Sequence, residues 1–131
     1  MTKHPKKRIV IYGCGDMGVQ TYNILKHDKS FEVIGFLDDN AEKSKLTFLN
    51  YPIFGNYTVI KDLKNKYQVK YGIATVGNNK IRSEKNLQMR EEGLSIATAI
   101  HPQAFIDNVN HIGEGTVVEM GAFIHPETVI G

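Results

Sequence analysis

The sequence predicts an α/β fold in which a parallel sheet with flanking helices leads, after residue 99, into the first coils of a hexapeptide β-helix. Three observations predict it. Short apolar runs over 9–12, 31–37 and 71–76 alternate with helical patterns, as strands and crossover helices do in a parallel sheet. The first run ends in Gly13-Cys14-Gly15-Asp16-Met17-Gly18, a G-x-G-x-x-G turn that opens a helix. From residue 100 onward, Ile100, Ile106, Ile112, Val118, Ile124 and Ile130 recur at a strict interval of six, the period of a β-helix hexad.

Size and composition bound the class. The chain has 131 residues, 41% hydrophobic and 23% charged, with a net charge of +2, which suits a globular domain with one real core. The charge balance gives no argument for nucleic acid. The basic cluster Lys3-His4-Pro5-Lys6-Lys7-Arg8 precedes the first strand and reads as a solvated terminus. No apolar stretch is long enough to span a membrane, and no signal peptide is recognisable. The single cysteine, Cys14, has no partner for an internal disulfide, which fits a reducing cytoplasm. Its place between two turn glycines asks for a small residue. A reactive thiol at a helix N-terminus is the competing reading, with no histidine nearby in sequence to support it. The five histidines show no metal-site spacing.

The elements follow in order. Residues 1–8 form a tail, 9–12 the first strand and 16–27 the first helix, with Val19, Tyr22 and Leu25 along one stripe and Asp16 as cap or first-turn acid. A turn at 28–30 leads to a strand over 31–37. Residues 38–51 are polar, with one helical turn near 41–45, and 51–55 is a short extended piece closed by Gly55. Thr58 is placed to cap a helix over 59–66 whose apolar positions are Val59, Ile60 and Leu63. The run 71–76 is continuously apolar, as a buried strand is. A third helix over 80–92 takes Ile81, Leu87 and Met89 as its apolar positions and stops at Gly93. A last strand covers 94–100.

In a parallel sheet of this kind, ligands bind beyond the carboxyl ends of the strands. Gly13, Asp38, Gly55 and Gly77 all follow predicted strands. The three turn glycines have separate uses: the first permits the turn, the second admits a phosphate to the backbone, and the third lets helix and strand pack closely. The helix N-terminus adds free N–H groups and a positive dipole end. Asp38 lies 20 residues after Gly18, about where an acid bonds a ribose hydroxyl. The candidate substrate-binding residues are therefore Gly13, Cys14, Gly15, Asp38, Asp39, Gly55, Gly77 and Asn78. The competing reading is a βαβ unit that binds nothing, with Asp38 and Asp39 merely opening a turn.

In the hexapeptide segment, the residue four after each aliphatic one is small or polar: Ala104, Asn110, Thr116, Ala122 and Thr128. Gly113, Gly115 and Gly121 serve corners. One coil cannot bury its own core, and residues 100–131 supply fewer than two coils at three hexads per turn. The expectation is that the chain is the front part of a longer protein, divided into 1–99 and 100–131.

A nucleotide-binding α/β domain joined directly to hexapeptide repeats resembles the NeuD/PglD-like family of bacterial sugar acetyltransferases. The matching stretches are Ile11-Tyr12-Gly13 with its glycine turn, Phe36-Leu37-Asp38-Asp39, Pro52-Ile53-Phe54-Gly55, Val76-Gly77-Asn78-Asn79-Lys80-Ile81-Arg82, and Ile100-His101-Pro102-Gln103-Ala104-Phe105-Ile106. The resemblance implies a Rossmann-like domain for a nucleotide-linked sugar of the UDP type, followed by a left-handed β-helix that binds acetyl-CoA and forms a homotrimer. The family's catalytic histidine lies about one coil beyond this chain, so no catalytic residue is expected here. His125, in His125-Pro126-Glu127, is the lesser candidate, because it is the second residue of its hexad where the family's base is the third. His101 and His111, at second and sixth hexad positions, read as surface residues. Without the base or most of the acetyl-CoA cleft, the chain is expected to bind the nucleotide sugar, hold no acetyl-CoA and show no turnover. Asp16 and Met17 stand where family members commonly carry glycine and histidine. The alternative is an NAD- or CoA-binding regulatory module without catalysis.

Overall fold

The computed structural model describes residues 6–100 and, beyond them, five two-residue strands up to Ile130. Strand β1 (Lys7–Tyr12) leads through the glycine turn into α1 (Asp16–His27) and then β2 (Phe31–Leu37). A 3₁₀ turn (Ala41–Lys45) precedes a small antiparallel hairpin, β3 (Thr47–Phe48) and β4 (Tyr51–Pro52). A second 3₁₀ turn (Tyr57–Val59) runs into α2 (Ile60–Tyr67), followed by β5 (Tyr71–Ala74), α3 (Asn79–Glu91), β6 (Ser95–Ile96) and β7 (Ala99–Ile100).

The main sheet is parallel with strand order β2-β1-β5-β6. The chain leaves β1 toward β2 on one side and reaches β5 on the other, so the order reverses between β1 and β5. The alternation of strand side chains divides the core. Ile9, Ile11 and Ile73 pack with Ile24 and Leu25 of α1 on one face, whereas Val10, Tyr12 and Ala74 pack with Ile60 and Leu63 of α2 and Met89 of α3 on the other. Both faces of β1 are covered, which is why its apolar run is continuous rather than alternating. Ala97 and Ala99 join the α1-side core.

Beyond β6 the strands pair at a fixed offset. Ala99 pairs with Val117 in β10 (Val117–Val118), Phe105 of β8 (Phe105–Ile106) with Phe123 of β11 (Phe123–Ile124), and His111 of β9 (His111–Ile112) with Val129 of β12 (Val129–Ile130). Each step is three hexads, so three short parallel ladders stack one coil on the next, as the six-residue interval requires. The intervening residues, with the corner glycines and His125, lie outside the described residues.

Several local expectations are corrected. The strand expected over 94–100 is two strands in two sheets, with β6 completing the main sheet and β7 opening the coils. The apolar stripe expected on α3 is absent: Ile81 is 44% exposed and Leu87 49%, and of the three only Met89 is buried. Those positions do not share one helical face. Asn86 turns inward instead and accepts the Ala74 N–H at 3.0 Å, satisfying the donor at the end of β5. The cap before α2 is Asn56 rather than Thr58. Its side chain accepts the Thr58 N–H at 3.0 Å and so starts the 3₁₀ turn. On α1, the buried positions are Gly18, Thr21, Ile24 and Leu25, with Val19 and Tyr22 half-buried.

Candidate functional site

A cleft of about 640 Å³ opens at the carboxyl ends of β1, β2 and β5, at the strand-order reversal where such sheets take their ligands. Its floor is the glycine turn. Gly13 has φ +132°, a backbone conformation that side chains rarely adopt, and a Cβ there would stand 2.7 Å from the Thr75 hydroxyl. A Cβ on Gly18 would collide with the Gly13 carbonyl oxygen, so this glycine lets α1 start directly against the strand end. Gly15 differs from both, because a Cβ there would meet nothing within 4 Å. It faces the open cleft and is the N-cap of α1, with no side chain capping the helix. The first-turn N–H groups of α1 thus face the cleft without an intrahelical partner.

Asp38 projects from the end of β2 into the same cleft. Its carboxylate accepts the Asn40 N–H at 2.9 Å and lies 3.7 Å from the Lys43 ammonium, with 17% of the side chain exposed. Its own N–H is held by the Gly55 carbonyl at 2.8 Å. Cys14 sits half-buried, its Sγ 3.9 Å from the Leu37 carbonyl oxygen. Burial first, and the nearby Asp38 charge second, push the thiol up to about 12, so it stays protonated and weakly nucleophilic at neutral pH. The described residues lining the cleft supply no activated nucleophile.

Of the sequence candidates, Gly13, Cys14, Gly15, Asp38 and Gly77 line the cleft. Gly55 anchors the Asp38 segment from behind, and Asn78 caps α3 by accepting the Ile81 N–H at 3.0 Å. Asp39 turns to the other face of the sheet, where it pairs with Tyr12 and Lys85. His125 lies outside the described residues. Sequence reasoning missed Gln20, Lys43, Thr75 and Val76 as lining residues. Thr75 is 3% exposed and donates its hydroxyl to the Gly13 carbonyl at 3.1 Å, tying the end of β5 to the glycine turn. Asp16 also lines the cleft, as a first-turn acid. Among the described residues no cluster of three or more potential ligands is placed to hold a metal, and no helix is long and apolar enough to cross a membrane.

The comparisons with known proteins agree with this architecture. The chain is similar in structure to a mutant of perosamine N-acetyltransferase from Caulobacter crescentus in complex with CoA and GDP-perosamine, with a TM-score of 0.84 and 25% identity over 94% of this chain and 56% of that one. The acetyltransferase domain of PglB from Neisseria gonorrhoeae, in complex with acetyl coenzyme A, shares the fold at TM-score 0.80 and 23% identity over 96% of this chain and 59% of that one. The fold also extends to RSP, a Rex-family repressor, in complex with beta-NADH, at TM-score 0.57 and 17% identity over 92% of this chain and 54% of that one. The chain therefore spans little more than half the length of these relatives. No curated protein sequence matches it. A family model described as the PglD N-terminal domain matches residues 8–87, more than half of the chain, which therefore belongs to the PglD N-terminal domain family.

Proposed function

We propose that this chain is the nucleotide-sugar-binding part of a sugar acetyltransferase, and that the whole protein transfers acetyl from acetyl-CoA to an amine or hydroxyl of a UDP-type sugar. The observation that carries the proposal is the shared cleft. The Gly13–Gly18 turn, Asp38 and Gly77 come from three strand ends and face one space. Unpartnered helix N–H groups there suit a phosphate, and the Asp38 carboxylate suits a ribose or base donor. Residues 1–99 form the binding domain and 100–131 begin the β-helix, which takes acetyl-CoA between subunits of a cytoplasmic homotrimer. The relative from Caulobacter crescentus is in complex with GDP-perosamine, so the test compares UDP-linked with GDP-linked sugars.

The chain as it stands has no acetyltransferase activity. By sequence register His125 is the second residue of its hexad, where the family's base is the third, and loss of general-base catalysis alone costs about 10²–10⁴-fold. Titration calorimetry with UDP-linked and GDP-linked amino sugars and with NAD tests the ligand class. Binding of a UDP-sugar without NAD is the expected result, whereas NAD binding with no response to either sugar nucleotide replaces this reading with the regulatory one. A coupled assay for free CoA tests the absence of turnover, and turnover that disappears in His125→Ala makes that histidine the base.

A further inference from the structure

Behind the cleft, on the α2/α3 side of the sheet, three side chains form a polar knot that no ligand needs to touch. The Tyr12 ring is buried, 2% exposed, and its hydroxyl accepts the Tyr57 N–H at 3.0 Å while donating to the Asp39 carboxylate. The Lys85 ammonium pairs with the other oxygen of Asp39, lies 5.3 Å from the centroid of the Tyr12 ring, and donates to Gln88 at 3.3 Å. Lys85 is only 14% exposed on its side chain.

The sequence positions give the knot its meaning. Tyr12 immediately precedes Gly13, Asp39 immediately follows Asp38, and Lys85 stands on the helix that starts just after Gly77. Tyr12 and Asp39 each adjoin a residue that lines the cleft, Lys85 stands in the second turn of α3, eight residues after Gly77, and none of the three lines it. We infer that Tyr12, Asp39 and Lys85 are positioning residues, which lock the glycine turn, the Asp38 segment and the start of α3 to one another from beneath and so set the geometry that the nucleotide meets. This rests on the reading of the cleft as the nucleotide-sugar site.

Geometry explains why the lock sits on this face. The main sheet is joined by backbone ladders only as far as the strand ends, and the segments beyond Tyr12 and Leu37 leave the ladder as they enter the cleft. Beyond the ladder a few single backbone bonds continue, among them Gly13 N–H to the Leu37 carbonyl and Asp38 N–H to the Gly55 carbonyl, both at 2.8 Å, and side-chain bonds add to them in holding one segment to the next. Charge-assisted bonds anchored on a buried tyrosine and a nearly buried lysine are stronger and more directional than neutral ones, even though the Asp39 side chain itself is half exposed. On the cleft face, the same job would occupy the groups that the ligand must use.

The test compares Tyr12→Phe, Lys85→Met and Lys85→Arg with the parent chain in two measurements: backbone amide spectra of the free chain by NMR, and calorimetric affinity for a UDP-amino sugar. The expected result for Tyr12→Phe and Lys85→Met is displaced amide signals at Cys14, Gly15, Asp38 and Gly77 in the free chain. Affinity should fall about tenfold, the equivalent of one ordinary hydrogen bond, and Lys85→Arg should restore much of it. Cleft amides that stay in place overturn the inference, whether affinity is kept or lost. Loss with fixed amides means direct contact, and a lowered melting temperature alone means a purely structural role. If the parent chain binds no sugar nucleotide, the reading of the site fails while the amide spectra still decide whether the knot positions the cleft. If Tyr12→Phe does not fold, the two Lys85 variants carry the comparison.

Discussion

Asp38 and Asp39 are adjacent in the chain and live on opposite sides of the sheet. Asp38 faces an open cleft floored by glycines, beside a half-exposed lysine at 3.7 Å. Asp39 faces the α2/α3 side, held by a buried tyrosine and a nearly buried lysine. Both aspartates lie just beyond β2, so their partners decide the face: Asp38 meets Asn40 and Lys43 at the cleft, whereas Asp39 meets Tyr12 and Lys85 on the other side. The same acid pair thereby places one carboxylate in the cleft lining, beside Asn40 and Lys43, and the other in the Tyr12–Lys85 cluster on the opposite face.

The largest expected effect sharpens the contrast between binding surface and scaffold at the glycine turn. Gly15→Val should fold with only a small drop in melting temperature, because nothing stands within 4 Å of the new Cβ and only the N-cap preference for glycine is lost. It should remove calorimetric binding altogether by filling the phosphate approach. Gly18→Val should do the reverse and lose the cooperative thermal transition, since its side chain meets the Gly13 carbonyl. A Gly15→Val chain with full affinity would show that no phosphate approaches this turn.

Next come the two aspartates. Asp38→Ala should weaken nucleotide-sugar binding by about 1–3 kcal/mol, the worth of a charge-assisted hydrogen bond, with little change in thermal stability. Asp39→Ala should cost less affinity and should displace cleft amides in the free chain, which Asp38→Ala should do only at its own loop. Equal affinity losses with the scaffold unmoved in both would erase the distinction between the faces.

A smaller effect appears in acid. Burial opposes ionisation of Asp39, but the Lys85 hydrogen bond and the Tyr12 hydroxyl outweigh it and hold the carboxyl below the usual carboxylate range. A depressed folded pKa adds stability above the unfolded value, about 3.9, and loses it as pH falls through the folded value. The melting temperature of the parent chain should therefore drop more steeply below about pH 4 than that of Asp39→Asn. The difference should be modest, because the Asp39 side chain is 51% exposed. Identical acid profiles would remove Asp39 from the stabilising set.

The smallest effect concerns Cys14. With its thiol pushed up to about 12, alkylation by iodoacetamide at pH 8 should run at least about tenfold slower than for an ordinary exposed cysteine. Asp38→Asn should speed it slightly by removing the second cause of the shift. Rapid labelling of the parent chain would return Cys14 to the list of reactive groups.

What the sequence by itself determined is local. The helix over 16–27, the strand over 31–37 and the turn over 41–45 lie where apolar period, glycine spacing and polarity place them, because each signal is complete within a few residues. The coil pairing of Ala99 with Val117 follows from repetition alone. Only the tertiary structure decided the rest. Ser95–Ile96 and Ala99–Ile100 read as one strand, yet they part because β5 offers pairing to the first and β10 to the second. Asn86 faces β5 and accepts the Ala74 N–H, while Ile81 and Leu87, which do not share the Met89 face, stay exposed. Lys43 and Thr75 reach the cleft, and Lys85 reaches Asp39, from segments that no spacing rule connects to the glycine turn. Which face a side chain serves beyond a strand end depends on register and on partners far along the chain, and those exist only once the sheet has formed.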